Sequence, residues 1–156
     1  NWFGSDFIVF GNSFFPLSDR LRWNTLLQFI FVMSGPDWLE PMQVSVSPDG
    51  IQWFDYPVMN SSAADAYWPT CAFAWDRIAG TWGAPQDFQK PVKPTLIRSN
   101  FIGTLATAID KYEGSGGGTA FDLSVTPFRS IRFIRITGNG GEIDAVSRVR
   151  PAHQQP

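Results

Sequence analysis

Met42-Gln43-Val44-Ser45-Val46-Ser47-Pro48-Asp49-Gly50-Ile51-Gln52-Trp53-Phe54-Asp55-Tyr56 is the stretch whose reading decides the fold class. Met42, Val44 and Val46 fall on one face of an extended chain and Gln43, Ser45 and Ser47 on the other, the period-two pattern of a half-buried strand. Pro48-Asp49-Gly50 then reverses direction: proline presets φ, aspartate can bond its own backbone, and glycine tolerates positive φ. Ile51 to Tyr56 supplies the bulky residues of a return strand, so the stretch reads as a β-hairpin.

Working outward, Asp6 to Phe10 is a short apolar run closed by Gly11-Asn12, which predicts a core strand ending in a turn. Thr25 to Met33 is β-branched and aromatic and reads as a second strand, with a short helix as the competing reading. Beyond the hairpin, Pro57, Pro69, Pro85, Pro91 and Pro94 interrupt any regular ladder, so Val58 to Pro94 reads as one long irregular loop. Apolar residues at Phe101, Leu105, Ala108, Ile109 and Tyr112 have helical spacing. Gly114 to Gly118 lacks the Lys-Ser/Thr ending of a phosphate loop and reads as a flexible connector. Ile131 to Thr137 carries apolar weight on both faces and is expected to be central. Gly138 to Gly141 turns the chain into a last strand, Glu142 to Val149. These elements predict an all-β antiparallel jelly-roll sandwich with one long irregular loop and at most one or two short helices. One domain is expected over residues 1–150, followed by a polar tail over 151–156. The abrupt start at Asn1 suggests a processed or incompletely registered amino terminus, with edge strands of the fold missing.

Composition narrows the function classes. Aromatic residues make up 15% of the 156 positions and charged residues only 17%, against a usual charged share of about 25%. The net charge is −2, which leaves no basic field to collect phosphates and argues against nucleic acid as a partner. Cys71 is the single cysteine, so neither an intrachain disulfide framework nor a Cys-rich zinc site can form. The longest apolar run, Leu26 to Met33, is far short of the ~20 residues of a spanning helix. Catalysis is not expected. His153, the one histidine, lies in the tail, where no third group can orient it as a base.

Three segments taken together carry a resemblance: Gly4 to Asn12 (GSDFIVFGN), Val44 to Trp53 (VSVSPDGIQW), and Ala120 to Leu123 (AFDL) with Ile131 to Thr137 and Gly141 to Val146. The chain resembles bacterial cell-surface domains of the galactose-binding-like, discoidin-related superfamily, in which segments of this kind follow one another in the same order. The resemblance implies an eight-stranded jelly roll, an extracellular or cell-surface location (a periplasmic one is the variant), and attachment to a carbohydrate or protein without catalysis. Two positions depart from the pattern. Gly11 stands where an acidic residue is expected, and Glu142-Ile143 stands where an acid usually directly precedes the matching aliphatic residue. Both bear on any cation site of that family.

The candidate ligand-binding residues are Tyr67, Trp68, Trp75 and Trp82, aromatics in the long loop whose planar rings can lie against the apolar face of a sugar. The alternative is that these rings pack the loop onto the sandwich. Asp6, Asp122 and Asp144 are the candidate oxygen ligands for calcium, a hard cation that takes about six to eight oxygens. Trp53 and Asp49 read as hairpin framework. The leading functional expectation is a non-catalytic binding module for a glycan or a protein surface. The alternative is a structural or accessory subunit of a surface filament, layer or large complex, in homo- or hetero-assembly, with Arg129, Arg132, Arg135, Arg148 and Arg150 among its contacts.

Overall fold

The computed structural model describes residues 2–18, 27, 29–35, 37–59, 62–66 and 68–151. Of the expected strand over residues 25–33, Phe31–Val32 is strand, and residues 25, 26 and 28, together with Tyr67 and His153, lie outside the described residues. The chain runs through β1 (Phe7–Gly11), β2 (Phe31–Val32), β3 (Gln43–Ser47), β4 (Phe54–Asp55), β5 (Phe73–Asp76), β6 (Thr81–Pro85), β7 (Gly103–Thr104), the helix α1 (Leu105–Asp110), β8 (Thr119–Phe121), β9 (Phe133–Thr137) and β10 (Ile143–Arg148). All of these strands pair antiparallel, so the fold is all-β.

Two three-stranded sheets, ordered β10-β1-β8 and β4-β3-β9, share one core. Side chains alternate along β1, so Phe7 and Val9 meet Val44, Val46 and Tyr56 of the facing sheet, while Ile8 and Phe10 turn outward against Val149 and Trp2. All five residues of β1 are buried, as the apolar run predicts. The ring of Phe7 stacks on Phe121 at 5.0 Å, and Tyr56 meets Phe121 edge-on at 4.9 Å, tying the two sheets together. Tyr56 donates its hydroxyl to the Asp122 carbonyl at 2.9 Å. Burial, then the Asp122 and Asp6 carboxylates, push its pKa upward.

The hairpin forms with Ser45 opposite Asp55 and Val46 opposite Phe54. Its return strand is shorter than expected, because Asp49 and Ser47 organise a longer turn. Asp49 Oδ1 accepts the N–H groups of Ile51 and Gln52, and Ser47 Oγ accepts those of Asp49 and Gly50, which has φ +80°. The alternation marks a strand correctly but overstates its exposure: Ser45 and Ser47 are as buried as Val44 and Val46, because β3 is the middle strand. Conversely β9, expected to be central, is an edge strand among the described residues, where it pairs with β3 alone, and Phe133 and Arg135 face solvent.

Three further expectations are corrected. Residues 58–94 are not wholly irregular, since β5 and β6 form a hairpin whose turn is held by Asp76 Oδ1 accepting from the Ile78 and Ala79 N–H groups. The prolines do not prevent it, because Pro85 is its last residue, where a missing donor costs least. The helix over 101–112 shortens to α1, capped by Thr104, whose hydroxyl accepts from the Thr107 N–H at 3.2 Å. Gly114 to Gly118 is a packed segment instead of a flexible connector. A Cβ at Gly118 would come within 2.7 Å of the Phe10 ring, and one at Gly117 would collide with the Pro69 carbonyl.

Candidate functional site

Where β1 ends, the chain turns away from the sandwich through Asn12, Ser13, Phe14 and Phe15, and these residues form one wall of a cavity of about 1040 Å³. The loop Pro69–Phe73, Trp82 of β6 and the α1 side chains Leu105, Ala108 and Ile109 complete it, and Asp144 of β10 stands at its Asn12 end. Phe14 and Trp38 are brought together by reciprocal backbone bonds, Phe14 N–H to the Trp38 carbonyl at 3.1 Å and the reverse at 3.0 Å. Their side chains are 54% and 62% exposed, high values for rings of this size, and both line the cavity.

Trp38 owes its position to the residue before it. Asp37 is nearly buried and receives the Arg98 Nε at 2.6 and 2.7 Å, while Arg98 Nη2 donates to the Met33 carbonyl at 3.0 Å. The guanidinium also lies over the Phe15 ring, 4.7 Å from its centroid, so one cation secures both the Trp38 segment and the cavity wall. The opposite hairpin is set by the Trp75–Trp82 pair, edge to face at 5.7 Å across β5 and β6.

Of the four aromatic candidates, Trp82 alone lines the cavity among the described residues. Trp68 is buried beside Phe101, with ring centroids 5.4 Å apart, and Trp75 is buried against Leu27, Ile30 and Ile109. Both therefore pack the loop onto the fold and offer no face to a ligand. Phe14 and Trp38 were not among the expected residues. The signal for Trp38 was its setting, a Trp next to Gly35-Pro36-Asp37, the same polar and turn-forming context that drew attention to the downstream loop.

The three aspartates do not form one site. Asp6 and Asp122 meet at the start of β1, where Asp6 Oδ2 accepts the Leu123 N–H at 2.8 Å and Asp122 Oδ1 accepts the Ser124 N–H at 2.7 Å. Asp144 sits beside the opposite end of that strand, since Phe7 faces Arg148 whereas Gly11 faces Ile143. Four residues of strand separate the two places, roughly 13 Å at the usual rise. With that separation, and with Asp6 and Asp122 already accepting backbone donors, this set does not fit a calcium ion. Among the described residues, no group of three or more Asp, Glu, His or Cys side chains could hold a metal.

Comparison with protein-family models, with curated proteins and with solved structures finds no match to this chain. Its chemistry must therefore be read from the side chains. Gly11, the departure noted in the sequence, has a packing reason: a Cβ there would lie 2.5 Å from both the Cα and Oδ1 of Asp65. Asp65 is buried with φ +51° and fills the space that an acidic side chain at position 11 would need. Cys71 faces the cavity as an inert group. Burial pushes its thiol pKa up, and the thiol donates to the Phe73 carbonyl at 3.3 Å, so at neutral pH it is a small apolar surface and no nucleophile.

Proposed function

We propose that this chain is a non-catalytic binding module of the extracellular or cell-surface, galactose-binding-like type, a jelly roll that takes a glycan in the cavity between β1 and the β5–β6 hairpin. The observation that carries the reading is the set of partly exposed rings, Phe14, Trp38 and Trp82, lining one concavity of about 1040 Å³. That volume is of the size that encloses a small ligand. A protein surface would need a flatter platform. Aromatic faces match the apolar faces of sugar rings, and Asn12 and Thr70 at the margin can orient hydroxyls.

Trp38→Ala removes one stacking face without touching the core. Screened against a glycan array and then titrated calorimetrically, it is expected to bind the best ligand about tenfold more weakly than the parent chain. A Trp38→Ala protein that binds with unchanged affinity sinks the reading.

A second reading, a structural or accessory subunit in an assembly, is favoured by the flank formed by β9 and β10. Each is the edge strand of its sheet, and Phe133, Ile143 and Val146 are exposed there. A large assembly mass in solution, together with no binding to any glycan, would favour it over the first.

A further inference from the structure

The polar groups around the cavity have a common bias. Thr70 donates its hydroxyl to the Gly11 carbonyl at 2.8 Å, and Tyr112 donates its own to the Pro69 carbonyl at 2.8 Å. The Cys71 thiol is directed to the Phe73 carbonyl at 3.3 Å, and Asn12 Nδ2 donates to Glu142 Oε2 at 2.6 Å. The Thr70, Tyr112 and Cys71 side chains thus each spend their one donor on the protein, and Asn12 spends one of its two. Asp144, at the same end as Asn12 and Glu142, is exposed, and among the described residues it has no hydrogen bond or ion pair. No Lys, Arg or His is among the described residues of the wall.

A wall whose hydroxyl and thiol donors are spent, with the Asp144 carboxylate at one end and no cation among its described residues, complements a ligand that brings donors and repels one that brings negative charge. We infer that the cavity selects a glycan bearing free amino groups, a hexosamine oligomer whose ring faces lie on Trp38 and Trp82 and whose ammonium faces Asp144. Uronic-acid, sulfated and phosphorylated glycans are excluded by the same groups. This inference rests on the cavity being a glycan site and adds the charge class of the glycan.

The test is calorimetric titration of the full chain, at low ionic strength and at a pH that protonates the amine, with three oligomers of equal length. These are β-1,4-linked glucosamine, its fully N-acetylated form, and galacturonate. The glucosamine oligomer is expected to bind about fivefold more tightly than the acetylated one, the most that an exposed ion pair usually contributes, and galacturonate is expected not to bind. Asp144→Asn should erase the preference while keeping the affinity for the acetylated oligomer. Asp55→Asn, which removes the same charge from the other sheet, should leave the preference intact and so exclude a general attraction of the acidic protein for a polycation. Equal binding of the amino and acetylated oligomers, tighter binding of galacturonate, or an unchanged preference in Asp144→Asn overturns the inference while leaving the glycan site standing. Failure of all three oligomers, and of every neutral glycan tried beside them, overturns both.

Discussion

Arg98 touches no ligand in this account, yet it should be among the most sensitive single positions. Its guanidinium answers a nearly buried Asp37 carboxylate, caps the Met33 carbonyl and covers Phe15. Arg98→Ala leaves the carboxylate buried without its cation, at a cost of about 3 kcal/mol or more. Urea denaturation should show that loss, and a change under about 1 kcal/mol would mean that Asp37 is solvated by other means. Asp49 behaves differently because it is fully exposed. The Gln52 and Ile51 N–H groups, donating to its carboxylate, hold its pKa below the ordinary value of 3.8. A depressed folded pKa means that the charged form is favoured in the native state. Its stabilising effect is complete above the unfolded value and fades as pH falls through the folded one. Asp49→Asn should therefore be less stable than the parent chain at neutral pH, and the gap should close below pH 3.8. A gap that is constant with pH would assign the turn to side-chain geometry alone.

Among the elements, the β5–β6 hairpin was the least legible in the sequence. Prolines flank it, and its Trp75 and Trp82 sit where a loop aromatic and a strand aromatic look alike. The cue lay in Asp76, a turn former between two short apolar runs, the same role that Asp49 plays in the hairpin that was recognised. Trp75→Ala removes the buried partner of Trp82 and one side of the α1 contact, and should cost about 3–5 kcal/mol in chemical denaturation. A loss below 1 kcal/mol would show that the hairpin is not held by this pair. The recognised strands fared better where periodicity alone decides. β1, β3 and β10 fall within one or two residues of their expected ranges, whereas centrality does not follow from periodicity. Ile131 to Thr137 looks two-faced because its arginines alternate with isoleucines, but only pairing partners, which are remote in sequence, decide that β9 lies at an edge and β3 in the middle. The glycines at 114–118 carry the same lesson: close packing against Phe10 and Pro69 is a property of residues more than forty positions away.

At the scale of the whole molecule, the order of segments conveys an antiparallel all-β fold, and the facing sheets β10-β1-β8 and β4-β3-β9 bear out that class. The cavity was less visible. Of its described aromatic residues only Trp82 was foreseen; Phe14 and Trp38, the most exposed of the rest, are joined by backbone bonds between segments that a strand pattern does not link. Asp144 was foreseen with another role. Its distance from Asp6 and Asp122 removes it from a shared metal site and leaves it at the cavity mouth. The most direct test of the cavity as the binding site is an NMR titration with a glycan found to bind, following the indole N–H signals of the described tryptophans. The Trp38 and Trp82 signals are expected to shift together with saturation, while those of Trp53, held by Gly50 and Arg135 on the other sheet, and Trp2 stay in place. Saturable shifts confined to Trp53 or Trp2, with Trp38 and Trp82 unmoved, would contradict it.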